Sequence, residues 1–218
     1  APGRTIMEAA YMLANGVGKA RAYQDGSVRA AKNWRCMVLS TGEKGLAEKI
    51  TEEGGRVQAG QTVRLVDIPA DAGTGLGIFE NLHAHESARA FADAIKNAAA
   101  ANYGHAARAF ITEVQKDRER IQASLHTALT NAGSMLCPID ASGQVERAAR
   151  RFALCAAAGE MAAEQALVPW GKGEAFQAVK TCFDAWLSLR GGAGAAEDSA
   201  IYEQIMLFIE QHGASRFQ

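Results

Sequence analysis

The stretch GKARAYQDGSVRAAKNWRCMVLSTGE, residues 18–43, decides how the rest of the chain is read. Lys19 and Arg21 stand two apart on one arm, Arg29 and Lys32 on a second arm, and Tyr23 near the tip between them. Asp25-Gly26 predicts a two-residue hairpin turn, because glycine tolerates the positive φ that such turns demand. Cations on a protruding ribbon can follow a phosphate backbone, which needs point charges and no base reading. The same charges also suit an ordinary edge hairpin that Lys and Arg protect from aggregation, and charge alone does not choose between the two. Behind the ribbon, the apolar run Cys36-Met-Val-Leu39 predicts a strand covered on both faces. It ends in Ser40-Thr41, and in open α/β sheets polar groups beyond the carboxyl end of a strand reach the ligand. Equally, Ser and Thr at that point would cap the next helix.

Upstream, Thr5 and Glu8 have capping-box spacing, Ile6, Ala9, Ala10 and Leu13 share a helical face, and Asn15-Gly16 is the stop. Downstream, 46–53 reads as a helix ending at Gly54-Gly55, and 63–68 reads as a strand stopped by Pro69. Helix, hairpin, strand, helix and strand in that order suit one side of an α/β sheet. From Glu86 the pattern turns helical and rich in alanine. Phe91, Ile95 and Ala98 mark one helix. Phe110, Val114, Ile121, Leu125 and Leu129 mark one long amphipathic helix closed by Gly133 and Pro138. Val145, Ala149, Phe152 and Ala156 begin another, ended by Pro169. Phe176, Val179, Phe183, Trp186 and Leu187 form the next, and Ile201, Ile205, Phe208 and Ile209 the last, with Gly213 as its expected C-cap. The Gly-rich stretch 72–77 reads as a flexible joint.

The chain has 218 residues, long enough for one large or two small lobes, with 23 basic and 24 acidic residues and a formal net charge of -1. So nothing global draws it to nucleic acid, and any such contact must come from local clustering. Cys36, Cys137, Cys155 and Cys182 form no C-x-x-C pair, which fits a reduced, cytoplasmic protein. No apolar run approaches the ~20 residues of a membrane span. Gly18-Lys19 and Gly171-Lys172 fail the phosphate-loop pattern, because Leu13 and Ala166 stand where its first glycine belongs and Ala20 and Gly173 where Ser or Thr does. His83 and His85 have no evident third metal ligand, and no Ser, His and Asp set stands on a nucleophile elbow.

Four stretches, EAAYMLANGVGKARA at 8–22, WRCMVLSTGE at 34–43, AGQTVRLVDIPADAGTGLGIFENLH at 59–83 and RRFALCAAAGEMA at 150–162, carry a family resemblance. Through them the chain resembles the helicase-like AAA+ ATPases of phages and integrating mobile elements. That family is catalogued as domain of unknown function 927, described as superfamily II helicase and inactivated derivatives, and is similar in design to MCM-like cassette helicases. The resemblance implies α/β followed by all-α: a partial P-loop NTPase sheet with a β-hairpin insertion over 1–85, then a helical lid-like bundle over 86–218 that runs into a further domain. Walker A and Walker B are absent, so the chain is expected to be the C-terminal part of the ATPase domain and not to hydrolyse ATP alone.

The same resemblance implies roles. The hairpin matches the pre-sensor-1 insertion, with Lys19, Arg21, Arg29 and Lys32 as DNA contacts in a ring's channel. Ser40 or Thr41 would stand at the γ-phosphate sensor. Arg56, or Arg64 as second choice, would be the arginine finger that stabilises charge on a neighbour's transferred phosphoryl group. Arg147, Arg150 and Arg151 would be the sensor-2 contacts to nucleotide, since the guanidinium fork binds phosphate oxygens in pairs. A solvated helix face explains Arg147 and Arg151 equally well. The implied function is part of an ATP-dependent DNA helicase or translocase, a ring acting in replication on single-stranded DNA. ATP and Mg2+ serve the complete protein, with neither expected on this part alone and no other metal. Two alternatives stand beside it: a catalytically inactive DNA-binding or oligomerisation module derived from such a helicase, and an unrelated helical enzyme.

Overall fold

The computed structural model describes residues 2–55, 57, 59–194, 201 and 204–212. Arg56, Gly213 and the 215–217 stretch lie outside the described residues. The chain divides into two compact units, one of residues 1–67 with 195–218 and the other of residues 68–194. The division follows Asp67, upstream of the 85–86 boundary at which the patterning turns helical.

In the first unit, α1 (Pro2–Asn15) is already under way at Thr5, so the expected capping box falls inside the helix and does not start it. Its end at Asn15-Gly16 is where the sequence places it. A two-stranded ribbon follows, β1 (Arg21–Ala22) antiparallel to β2 (Val28–Arg29). Next come α2 (Leu46–Glu52) and α3 (Ala59–Arg64). Both pack on α1. The core is small: Ala10 of α1, Leu46 and Ile50 of α2, and Val63 of α3 are buried. Asp67 closes it, its carboxylate accepting the Leu46 amide at 2.8 Å and so capping α2 across the unit.

Two expected strands are absent here. Residues 36–39 form no strand, and Met37, Val38 and Leu39 are 59%, 60% and 95% exposed. A run of this kind becomes a buried strand only between neighbours that complete its ladder and helices that cover its faces. Among the described residues the ribbon is the sheet. Residues 63–68, also expected as a strand, split between the end of α3 and an irregular segment. Val63 gains more by burial against α1 than by an unpaired extended backbone, and Asp67 serves as the cap of α2.

The second unit begins with a loop that closes on itself. The Ala72 amide donates to the Gly77 carbonyl at 2.8 Å, and the Thr74 hydroxyl to the Phe79 carbonyl at 2.8 Å, so the stretch expected as a flexible joint is a hydrogen-bonded turn. Phe79, His83 and His85 then gather around Phe91, with ring centroids 4.7, 5.5 and 5.0 Å away. Phe91 belongs to α4 (Ala88–Ala101), which Ser87 caps by accepting the Ala90 amide. The single long helix expected through 110–129 is two, α5 (His105–Lys116) and α6 (Arg118–Leu136). Asp117 breaks it: its backbone leaves the helical region, and its carboxylate accepts the Arg120 amide and side chain, both at 3.0 Å.

α7 (Gly143–Glu164) packs against both α6 and α8 (Glu174–Leu189). Its buried face is mostly alanine, with Ala148, Ala149, Ala153, Ala156 and Ala157 beside Val145 and Phe152. Small side chains there let two neighbours approach closely. Phe152, Phe183 and Trp186 fill the wider end, with Phe152 edge-on to Phe183 at 5.3 Å. At the narrow end a Cβ on Gly159 would lie 2.6 Å from the Cβ of Ala175. At the next residue, the Glu160 carboxylate accepts the amides of Gly173 and Phe176, at 2.8 and 2.9 Å, and caps α8 from α7. Arg190 ties the far end of α8 to the start of α7 through Gln144 at 2.6 Å.

Gly159→Ala should therefore lower the urea midpoint even though alanine favours a helix interior by about 1 kcal/mol over glycine, because the overpacking term is about 1–3 kcal/mol. Adding Ala175→Gly should recover part of the loss. A midpoint that stays or rises in the single variant would show that the two helices do not meet closely at this turn.

Candidate nucleic-acid interface

The ribbon is mounted on the end of α1. Gly16 stops the helix with φ +67, donating its amide to the Met12 carbonyl at 3.1 Å. Its own carbonyl then accepts the Trp34 amide at 2.9 Å. The Trp34 indole donates to the Leu13 carbonyl at 3.3 Å, a second donor to an acceptor in the last turn that the Gly16 amide also reaches at 3.2 Å. A Cβ at position 16 would stand 2.4 Å from the Trp34 carbonyl oxygen, so both the turn and the close approach demand glycine. Above this junction Val17 bridges Asn33, and the Gly18 amide donates to the Lys32 carbonyl at 2.8 Å.

Toward the tip the register pairs Arg21 with Arg29 and Ala22 with Val28. The Tyr23 amide donates to the Ser27 carbonyl at 2.9 Å and the Gly26 amide to the Tyr23 carbonyl at 3.0 Å. The loop is thus three residues, Gln24 to Gly26, with Gly26 at φ +81, and not the two-residue turn that Asp-Gly suggests. Asp25 accepts the Ser27 hydroxyl at 2.6 Å and the Ser27 amide at 2.9 Å. These bonds, the hydroxyl's first, hold its carboxyl below the ordinary value of 3.8.

Within the short ladder Arg21 and Arg29 stand opposite each other on one face and Ala22 and Val28 on the other. Lys19 and Lys32 lie in the non-strand segments between this ladder and the base bridge, nearer the helix. Arg29 lies over the Tyr23 ring, 5.5 Å from its centroid. Lys19 is paired with Glu8 of α1 at 3.2 Å, with both groups exposed. Neither Arg21 nor Arg29 has a carboxylate partner among the described residues. Arg35, just past Trp34, is a further exposed cation that the two-arm reading does not include. Trp34 itself is the main residue that charge patterning overlooks; its signal was an aromatic side chain at the point where the ribbon returns to the helix end.

Among the described residues, the nucleotide-related ones do not assemble into a site within either unit. Ser40 and Thr41 are exposed and follow the unpaired 36–39 segment. Arg64 folds back within its own unit, donating to the Gly60 carbonyl at 2.9 Å and lying over the Tyr11 ring at 4.7 Å. Arg147 and Arg150 are exposed on α7 and Arg151 is half-buried. Both Gly-Lys pairs have their glycine amides occupied: Gly18 by the Lys32 carbonyl, and Gly171 by the Glu174 carboxylate at 3.0 Å. Anion-binding amides are thus already satisfied by the protein. Among the described residues no three potential metal ligands cluster and no helix is long and apolar enough to cross a membrane.

A family model described as a domain of unknown function (DUF927) matches residues 1–33, the span that holds α1 and both strands of the ribbon. No curated protein and no solved structure matches the chain.

Two outcomes check this geometry. Because the Asp25 value is lowered on folding, its stabilisation of the turn is complete above 3.8 and is lost as pH falls through the lower folded-state value. The Ser27 amide resonance should titrate with a midpoint below 3.8, and Asp25→Asn should abolish that titration; a midpoint at or above 3.8 would mean the carboxylate does not hold the turn. In iodoacetamide labelling of the folded chain, exposed Cys36 should react ahead of half-buried Cys137. Burial pushes the Cys137 thiol up, and Glu146 adds to the effect. Protection of Cys36 equal to that of Cys137 would place 36–39 under a covering sheet.

Proposed function

We propose that this chain is part of an ATP-dependent DNA helicase or translocase of the AAA+ type, from a phage or mobile genetic element, in which the basic ribbon contacts single-stranded DNA. One observation carries the reading: a ribbon bearing Arg21 opposite Arg29, with Lys19 nearer its base, is fixed by Trp34 to the end of α1. Exposed cations on a rigid mount can follow a polyanion without paying again for their orientation. The family-model match over the same residues and the sequence resemblance beyond them agree with it. In the complete protein a cytoplasmic ring would use ATP and Mg2+, with Arg56 as the candidate finger toward a neighbour and Arg147, Arg150 and Arg151 as candidate nucleotide contacts. The donor set described here does not fit a nucleotide cradle, since the glycine amides of both Gly-Lys pairs are already bonded, and no step of hydrolysis is assigned to it. That same observation favours the second reading, a DNA-binding or oligomerisation module without catalysis of its own.

Fluorescence anisotropy with a labelled oligothymidylate at several salt concentrations tests the contact. The logarithm of the binding constant should fall linearly with that of salt, and Arg21→Ala should reduce the slope by roughly 0.7, the share of one single-strand phosphate contact. Binding that is absent, or insensitive to salt, overturns the proposal. DNA-stimulated ATP turnover by this chain alone would overturn the statement that it lacks a cradle.

A further inference from the structure

The ladder's two faces are chemically unlike. One carries Arg21 and Arg29, with the Tyr23 ring beside Arg29; the other carries Ala22 and Val28. On the first face, two arginines stand directly opposite each other, an arrangement that opposes pairing in the free protein. Beside them Tyr23 is 54% exposed although Arg29 already lies over its ring. A ring supported by a guanidinium on one side and open on the other has the form of a stacking platform.

We infer that Arg21, Tyr23 and Arg29 form a subsite selective for single strands, in which Tyr23 stacks on an unpaired base while the opposed arginines hold the adjoining phosphodiester. This rests on the DNA-binding reading above and deepens it. A base in a duplex keeps both of its faces stacked on its neighbours and offers none to Tyr23, whereas every base in a single strand has a free face. The opposed arginines complete the arrangement, since a phosphodiester between them converts two repelling charges into two partners of one anion. Lys32, beside the base bridge and outside the ladder, contributes only diffuse attraction.

The test compares three fluorescein-labelled probes at one salt concentration: an oligothymidylate, a deoxyribose-phosphate strand of equal length without bases, and a duplex. The wild-type chain should bind the oligothymidylate about tenfold tighter than the abasic strand, the scale of one stacked base. Tyr23→Ala should erase that difference and leave affinity for the abasic strand and the duplex unchanged; Tyr23→Phe, which keeps the ring, should preserve it. Lys32→Ala should weaken oligothymidylate binding less than Arg21→Ala does. Equal binding of base-containing and abasic strands by the wild type, with normal salt dependence, overturns the inference and leaves the DNA-binding reading intact. So does Tyr23→Ala acting equally on all three probes. Failure of the wild type to bind any probe removes the DNA-binding reading itself.

Discussion

The hydrogen bond from the Trp34 amide to the Gly16 carbonyl is the constraint on which the ribbon depends. Two strands with two assigned residues each are marginal by themselves, because a lone hairpin buries too little to offset the entropy of ordering it. What gives this one a direction is the end of α1. The Leu13 carbonyl, already reached by the Gly16 amide, gains the Trp34 indole as a second donor, and the indole's bulk lies against Gly18 as the chain returns. One residue thus ends the hairpin, caps the helix and fills the corner between them. The cations above it inherit their direction from this corner and not from ion pairs among themselves.

The second unit solves a different problem with the same economy of parts. An alanine-rich helix contributes little burial per residue, so α7 is useful as a spacer that brings α6 and α8 close, leaving Phe152, Phe183 and Trp186 to supply most of the apolar volume. Close approach brings polar ends together as well. Glu160 reaches the N-terminal amides of α8, a position where a carboxylate also meets the positive end of the helix dipole. The loop that carries Gly171 and Lys172 is therefore organised by carboxylates, and its resemblance to a phosphate loop ends there.

Helices were legible where their signals were local. α2, α4, α7 and α8 follow apolar periodicity, and Gly16 and Gly54 end helices as their type suggests. Asp117 shows the limit of that reading: apolar spacing continues across it without a fault, while its side chain offers the Arg120 amide a better bond than helix continuation does. The strands at 36–39 and 63–68 failed for another reason. Val, Leu and Ile in extended runs specify a strand only if some other strand completes the ladder, and composition cannot state whether a neighbour exists. Of the candidate site, the ribbon and its charge were visible in spacing alone. The opposition of Arg21 and Arg29 was not, because it depends on a register that the tip loop sets.

That register also bears on what the charges are for. An edge hairpin guarded against aggregation needs cations, and it is served as well by Lys on either face, spaced to avoid one another. Here Arg21 and Arg29 meet in register with no carboxylate partner among the described residues, while the acid at the tip, Asp25, is hydrogen-bonded to Ser27 and pairs with neither. Such a pair costs folding free energy that a purely protective role would not require. A polyanion standing between the two guanidinium groups would remove that cost, which is why the pair suits the proposed contact better than protection of an edge. Lys19, by contrast, is engaged by the Glu8 carboxylate at the ribbon's base, farther from the tip than the opposed pair.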